Sequence, residues 1–146
     1  MINMKKTIVF IYKALRKIHS MFLELYCYSK TKFLFYVNSV NYHDFCTQGV
    51  PIVKTKRPKS IMVGKGFKMN NGLHANVIGY TSPCVFCTSL DGRIIIGDNV
   101  GMSQTTIIAN ADVIIGNNVK IGGGGRFTHL IFILLILNIE ESLKRI

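Results

Sequence analysis

The sequence predicts a mainly β chain: short strands wound into a stacked triangular coil, preceded by one basic amphipathic α-helix. Three observations carry this. A five-residue pattern recurs 19 residues apart, Ile96-Gly97-Asp98-Asn99-Val100 and then Ile115-Gly116-Asn117-Asn118-Val119. Aliphatic residues around it step by six, which fits neither an α-helix nor a plain alternating strand. Positive charge is concentrated ahead of it. Of the net +11, residues 1–60 hold 11 Lys and Arg against 2 Asp and Glu, and residues 61–146 hold 7 against 5.

The chain has 146 residues, the size of one domain. Charged residues make up 17% and hydrophobic residues 49%, which excludes a disordered tail. No apolar run approaches the roughly 18 residues of a membrane-spanning helix. Four cysteines, Cys27, Cys46, Cys84 and Cys87, are too sparse for a small disulfide scaffold. Lys13, Arg16 and Lys17 interrupt the apolar stretch after Lys5 and Lys6, which argues against a secretory signal. A reducing, cytoplasmic location is expected.

Residues 1–32 read as the basic helix. Ile8, Ile11, Leu15, Ile18, Phe22 and Leu25 form one apolar stripe, with Lys13, Arg16, Lys17, Ser20 and Glu24 on the other side. The pattern places the helix over about residues 5–28. The stripe has two readings: packing on the rest of the protein or a sister subunit, or contact with an anionic inner-membrane surface. The asymmetric charge also fits nucleic acid, but no nucleic-acid-reading motif accompanies it, so that partner is not expected. Residues 33–60 read as a strand, Phe33 to Val40, and a linker through the basic stretch 54–59.

Residues 61–125 read as the coil. Ile96, Met102 and Ile108 step by six, and Ile115 and Ile121 do so again after one extra residue. Val63-Gly64-Lys65-Gly66-Phe67 is a weaker, earlier copy of the five-residue pattern. A triangular coil of about 18 residues, three hexapeptides, points one aliphatic residue per hexapeptide inward and buries a continuous column when coils stack. Gly and Asn sit at corners because they tolerate positive φ at little cost. The copy at 96–100 should lie directly beneath the copy at 115–119.

These residues resemble the hexapeptide-repeat acyltransferases. Phe67–Gly72, Ser82–Phe86, Ile94–Ser103 and Ile115–Gly124 look like bacterial polysaccharide and sugar O-acetyltransferases over about residues 50–125. The resemblance implies a left-handed parallel β-helix, a handedness that the usual crossover preference would not supply. It also implies a homotrimer, acetyl-CoA as acyl donor in the groove between coils, no metal, and a sugar hydroxyl as acceptor in surface-polysaccharide synthesis. A histidine would take the acceptor proton and backbone N–H groups would hold the oxyanion. Candidate positions are His129 for the base, Asn71, His74 and Ser103 for the acceptor, and Gly122, Gly123 and Gly124 for the cofactor.

The family's Asp-Phe-His-Ser sequence is missing. His129 lies near its place but lacks the flanking residues, and Leu130 to Leu137 are all apolar. Leu130–Leu134 can be encoded TTG ATT TTC ATT CTT, and the bases from the third onward then read Asp-Phe-His-Ser. Residues 126–146 are therefore expected to be an apolar, out-of-frame tail that truncates the coil. The alternative is a genuine buried strand or helix there. For function, the alternative is a catalytically dead relative whose coils serve only self-association. Either way, an exposed coil edge and an apolar tail predict poor solubility.

Other chemistries fit less well. Cys84 and Cys87 are spaced Cys-x-x-Cys, but no second pair completes a zinc site, and a structural role is expected. Four scattered histidines do not make the metal cluster of a gamma-type carbonic anhydrase. Gly122–Gly125 lacks the Lys-Ser/Thr of a phosphate loop and reads as a tight corner. Ser103, Thr105 and Thr106 read as hydroxyls on a repeat face, with no base set beside them.

Overall fold

The computed structural model describes residues 4–72, 81–130 and 133–135, with side chains described as far as residue 128. It opens with helix α1 (Met4–Val37). Thirteen short strands follow among the described residues: β1 (Asn41–Tyr42), β2 (Phe45–Gln48), β3 (Ile52–Lys54), β4 (Ile61–Val63), β5 (Phe67–Asn70), β6 (Val85–Thr88), β7 (Ile94–Ile96), β8 (Gly101–Ser103), β9 (Thr106–Ala109), β10 (Val113–Ile115), β11 (Lys120–Ile121), β12 (Arg126–Leu130) and β13 (Ile133–Leu135). They form three sheets, ordered β1-β4-β7-β10-β13, β11-β8-β5-β2 and β12-β9-β6-β3. Every pairing is parallel, and each strand pairs with those one coil away. This is a parallel β-helix behind an N-terminal helix, and three sheets of short strands with corners 19 residues apart fit the left-handed form.

Alternation within each strand builds the core. Phe67 and Met69 point inward while Lys68 points out. Stacking turns these positions into columns: Ile61, Ile94 and Val113 share one register, and Val63, Ile96 and Ile115 share the next. All six are buried, so each coil seals the one below it. The copy at 115–119 does lie on the copy at 96–100, and Val63–Phe67 lies beneath both.

The repeat is maintained by its corner residues. Asn99 and Asn118 take left-handed φ of 57° and 61°. The Asn117 side-chain oxygen accepts the Asp98 N–H at 2.7 Å, and the Asp98 carboxylate accepts the Lys65 N–H at 2.7 Å. Asn99 donates to the Asn118 oxygen at 3.3 Å. Each corner side chain thereby satisfies a backbone group or its counterpart in a neighbouring coil. A second corner carries the Arg93–Asp112 ion pair, in which the guanidinium holds the Asp112 carboxyl below its usual range.

Several boundaries differ from the sequence reading. Phe33–Val37 is helical, so α1 runs past residue 28 and no strand spans 33–40. Aromatic side chains favour strands only weakly, and packing of Phe35 onto the first coil overrides that preference. Asn38 ends the helix by donating to the Leu34 carbonyl at 2.9 Å, with Ser39 at φ 51°. The coil starts at β1, not at residue 61, and the stretch 54–59 is one of its corners. Strand pairing also runs on through β12 and β13, beyond the boundary at 125. The extra residue of the repeat sits after Met102, not after Ile108. Ile107 and Ala109 fill the core and Ile108 faces outward, because Gln104 turns the corner at φ 48°.

Candidate functional site

One edge of the coil gathers most of the polar residues singled out above. It is the corner where the second sheet (β2, β5, β8, β11) gives way to the third (β3, β6, β9, β12). In the third coil, successive corner contacts are 19 residues apart, whereas Lys65 and Asp98 in adjacent coils are 33 apart. The second coil therefore carries 14 more residues: 12 of them leave between β5 and β6, at this corner, and two lie between β6 and β7. His74 belongs to that insertion and lies outside the described residues.

Asn71 anchors the insertion at its neck. It is buried, its side-chain oxygen accepts the Cys84 N–H at 2.8 Å, and its amide donates to Thr47 Oγ1 at 3.0 Å. Its backbone N–H donates to the Gln48 carbonyl at 2.7 Å. These bonds occupy Asn71 in holding the two ends of the insertion. Gln104, one coil on, donates from Nε2 to the Gly72 carbonyl at 3.1 Å. The insertion thus leaves from a rigid base.

Ser103 ends β8 beside this neck, and Asn70 donates to its hydroxyl at 3.2 Å. In the next coil Ile121 pairs with Met102, so the chain enters Gly122 alongside Ser103. Gly122–Gly125 turn the corner, with Gly124 at φ 82° and its N–H donating to the Gln104 carbonyl at 3.2 Å. Space around Gly122 is open, since a Cβ there would meet nothing within 4 Å. The result is a column of amide, hydroxyl and exposed backbone: Asn70, Ser103, Gly122.

Two cations border the column, and the sequence reading passed over them. Lys68, Gly101 and Lys120 lie in register across β5, β8 and β11. The Lys120 side chain lies over Gly101, where a Cβ would come within 3.1 Å of Nζ. The signal was present as an outward position in each strand, but it becomes a cluster only once the coil length sets which strands are neighbours.

His129 is not part of this column. It lies on β12, three residues past Arg126, or about 10 Å along the strand from the corner. Thr128 pairs with Ile108 and Leu130 with Ala109, so His129 is the unpaired residue of a β-bulge. Bulges re-aim side chains and recur beside active sites.

Cys84 immediately precedes β6 and is fully buried, whereas Cys87 lies on β6, half-buried and facing out. They cannot close on a common metal, and both are free thiols. Among the described residues no group of three or more His, Cys, Asp or Glu is placed to hold a metal ion. Burial pushes the Cys84 thiol above its ordinary range, which keeps it in the unreactive protonated form. Alkylation of the folded protein is expected to label exposed Cys46 and to spare Cys84 until the chain is unfolded, as peptide mass mapping will show.

No protein-family model matches the sequence, and no curated protein matches it. Among solved structures, serine acetyltransferase isoform 3 from Entamoeba histolytica, in complex with cysteine, is similar over 79% of this chain and 44% of its own, at 14% sequence identity and a TM-score of 0.28. The chain thus spans less than half the length of that structure, and an overlap this loose carries no functional argument.

Proposed function

We propose that the protein is an acyltransferase of the hexapeptide-repeat type, moving an acetyl group from acetyl-CoA to a sugar hydroxyl in cytoplasmic surface-polysaccharide synthesis. The observation that carries this reading is the Asn70–Ser103–Gly122 column at the foot of the coil insertion. Lys68 and Lys120 beside it suit the phosphates of coenzyme A. Apart from the Gly124 N–H, which is bonded to the Gln104 carbonyl, the Gly122–Gly124 corner would offer backbone to the cofactor and the oxyanion. Ser103, with His74 from the insertion, would contact the acceptor. His129 would take the acceptor proton as its oxygen attacks the thioester carbonyl, and the coenzyme A thiolate would leave and be protonated. In a homotrimer the neighbouring copy would have to bring its bulge to this corner for His129 to act there.

The test uses the full chain. Calorimetric titration with acetyl-CoA should show saturable binding, and mass spectrometry should detect acetylated sugar. His129→Ala should lower transfer by about 100-fold or more while leaving cofactor binding in place. Absence of binding at millimolar acetyl-CoA would instead favour the self-associating, inactive relative. Resequencing the codons for Lys120 to Ile146 belongs with this test. An inserted or missing base would restore Asp-Phe-His-Ser and supply the base from there.

A further inference from the structure

We infer that α1 is a docking surface for a lipid bilayer carrying acidic phospholipids. The inference is independent of the acyltransfer reading and rests on where the fold leaves the helix. Of the six stripe residues none is covered: Ile11 is 51% exposed, Leu15 61% and Phe22 69%. The helix holds on to the coil through a different side. Thr31 and Phe35 are its buried residues, and Tyr28 stacks on Phe45 with ring centroids 4.9 Å apart. At 3.6 residues per turn, these contacts lie roughly 140° around the axis from the centre of the stripe. The coil therefore grips the helix near its polar side and leaves the apolar stripe uncovered. Intramolecular packing, one of the two readings the sequence left open, does not account for the stripe among the described residues.

The charge selects the occupant. Met4–Val37 carries seven Lys and Arg and a single acid, Glu24. A second copy laid against the stripe would bring two such helices together and set like charges against each other. An anionic bilayer instead attracts them, by about 1 kcal/mol for each Lys or Arg near the surface. Lys30 flanks one margin of the stripe and Lys32 the other, positions from which long side chains reach headgroups while their stems cover apolar surface. Crossing the bilayer is not an option, since no described helix is long and apolar enough to do so. The helix lies along the interface.

The stripe also runs into a groove. Leu25, Phe33 and Tyr36 continue it towards the first coil, and a groove of about 850 Å³ opens there with Lys32 and Lys59 at its margins. Apolar walls with two ammonium groups at the rim suit a phospholipid whose phosphate meets the lysines while its acyl chain follows the aromatic side chains.

The test is co-sedimentation of the full chain with vesicles of phosphatidylcholine alone or of phosphatidylcholine mixed with phosphatidylglycerol. Binding to the mixed vesicles is expected, at least ~10-fold tighter than to phosphatidylcholine alone and weakened by added salt. The double variant Leu15→Asp/Phe22→Asp should lose at least ~10-fold in binding. Because neither side chain touches the coil, its thermal unfolding should not change. Ser20→Ala, on the polar side, should bind as the parent does. Failure to bind the mixed vesicles overturns the inference, as does binding that the double variant leaves unchanged. An oligomer that the double variant dissociates would also overturn it, since the stripe would then belong to a second copy.

Discussion

Replacing Phe35 by alanine is expected to be among the most damaging single changes in the chain, costing about 3–5 kcal/mol. Phe35 is 2% exposed and closes the open end of the first coil. Its ring lies 5.0 Å from that of Phe45 and 5.4 Å from that of Tyr42, and those two rings lie 5.3 Å apart. A solenoid whose end coil has no neighbour exposes the bottom of its core, and terminal caps exist to cover it. Here the last two turns of α1 are the cap. Truncation would open a cavity and also loosen the helix from the coil. With total stabilities of about 5–15 kcal/mol, a loss of this size removes a large part of the folding free energy. Urea unfolding followed by circular dichroism measures it. A cost below about 1 kcal/mol would mean that Phe35 is not the cap.

The second large effect is expected at Gly97. A Cβ there would stand 2.4 Å from Asn117 Oδ1 and 2.8 Å from the Gly116 carbonyl carbon. The coil above cannot withdraw, because Ile115 is held over Ile96 by the strand ladder. Nor can Asn117 swing aside freely, because its side-chain oxygen accepts the Asp98 N–H. Gly97→Ala should therefore cost about 1–3 kcal/mol from overpacking. Gly122→Ala is the matched comparison. It has open space around it and should fall within about 0.5 kcal/mol of the parent. Equal effects at the two positions would mean that coil stacking does not require glycine at the corner.

The corner pattern was the most legible feature. Ile-Gly-Asp-Asn-Val and Ile-Gly-Asn-Asn-Val carry, in five residues, the inward aliphatic positions, the close approach at Gly97 and the left-handed φ at Asn99 and Asn118. Each requirement is local, so each is visible along the chain. Phe33–Val37 was misread because the choice between helix and strand there depends on Phe45 and Tyr42, which become its neighbours only after the coil forms. The first coil was taken for a linker because its strands are short and its third corner is basic and polar.

The candidate site was legible only in pieces. Ser103 and the Gly122 run could be named, but their adjacency to each other and to Asn70, Lys68 and Lys120 could not. Asn71 was named as able to approach an acceptor, and its role in binding the neck of the insertion could not be read, because a buried amide satisfies its hydrogen bonds with groups that only the fold brings near it.

Local chemistry alone was enough to establish the period, the corner residues, part of the core column (Ile96, Met102 and Ile115) and the segregation of charge into the first 60 residues. These follow from side-chain size, glycine and asparagine backbone freedom, and ionisation, all properties of a residue or its near neighbours. Register belonged to the tertiary structure. Coil lengths of 33 and 19 residues decide which strands pair, which polar groups share a corner and where the extra residue of the repeat is absorbed. The direction of the apolar stripe was decided there too, because the Phe35 contact at the far end of α1 sets the rotation of the whole helix.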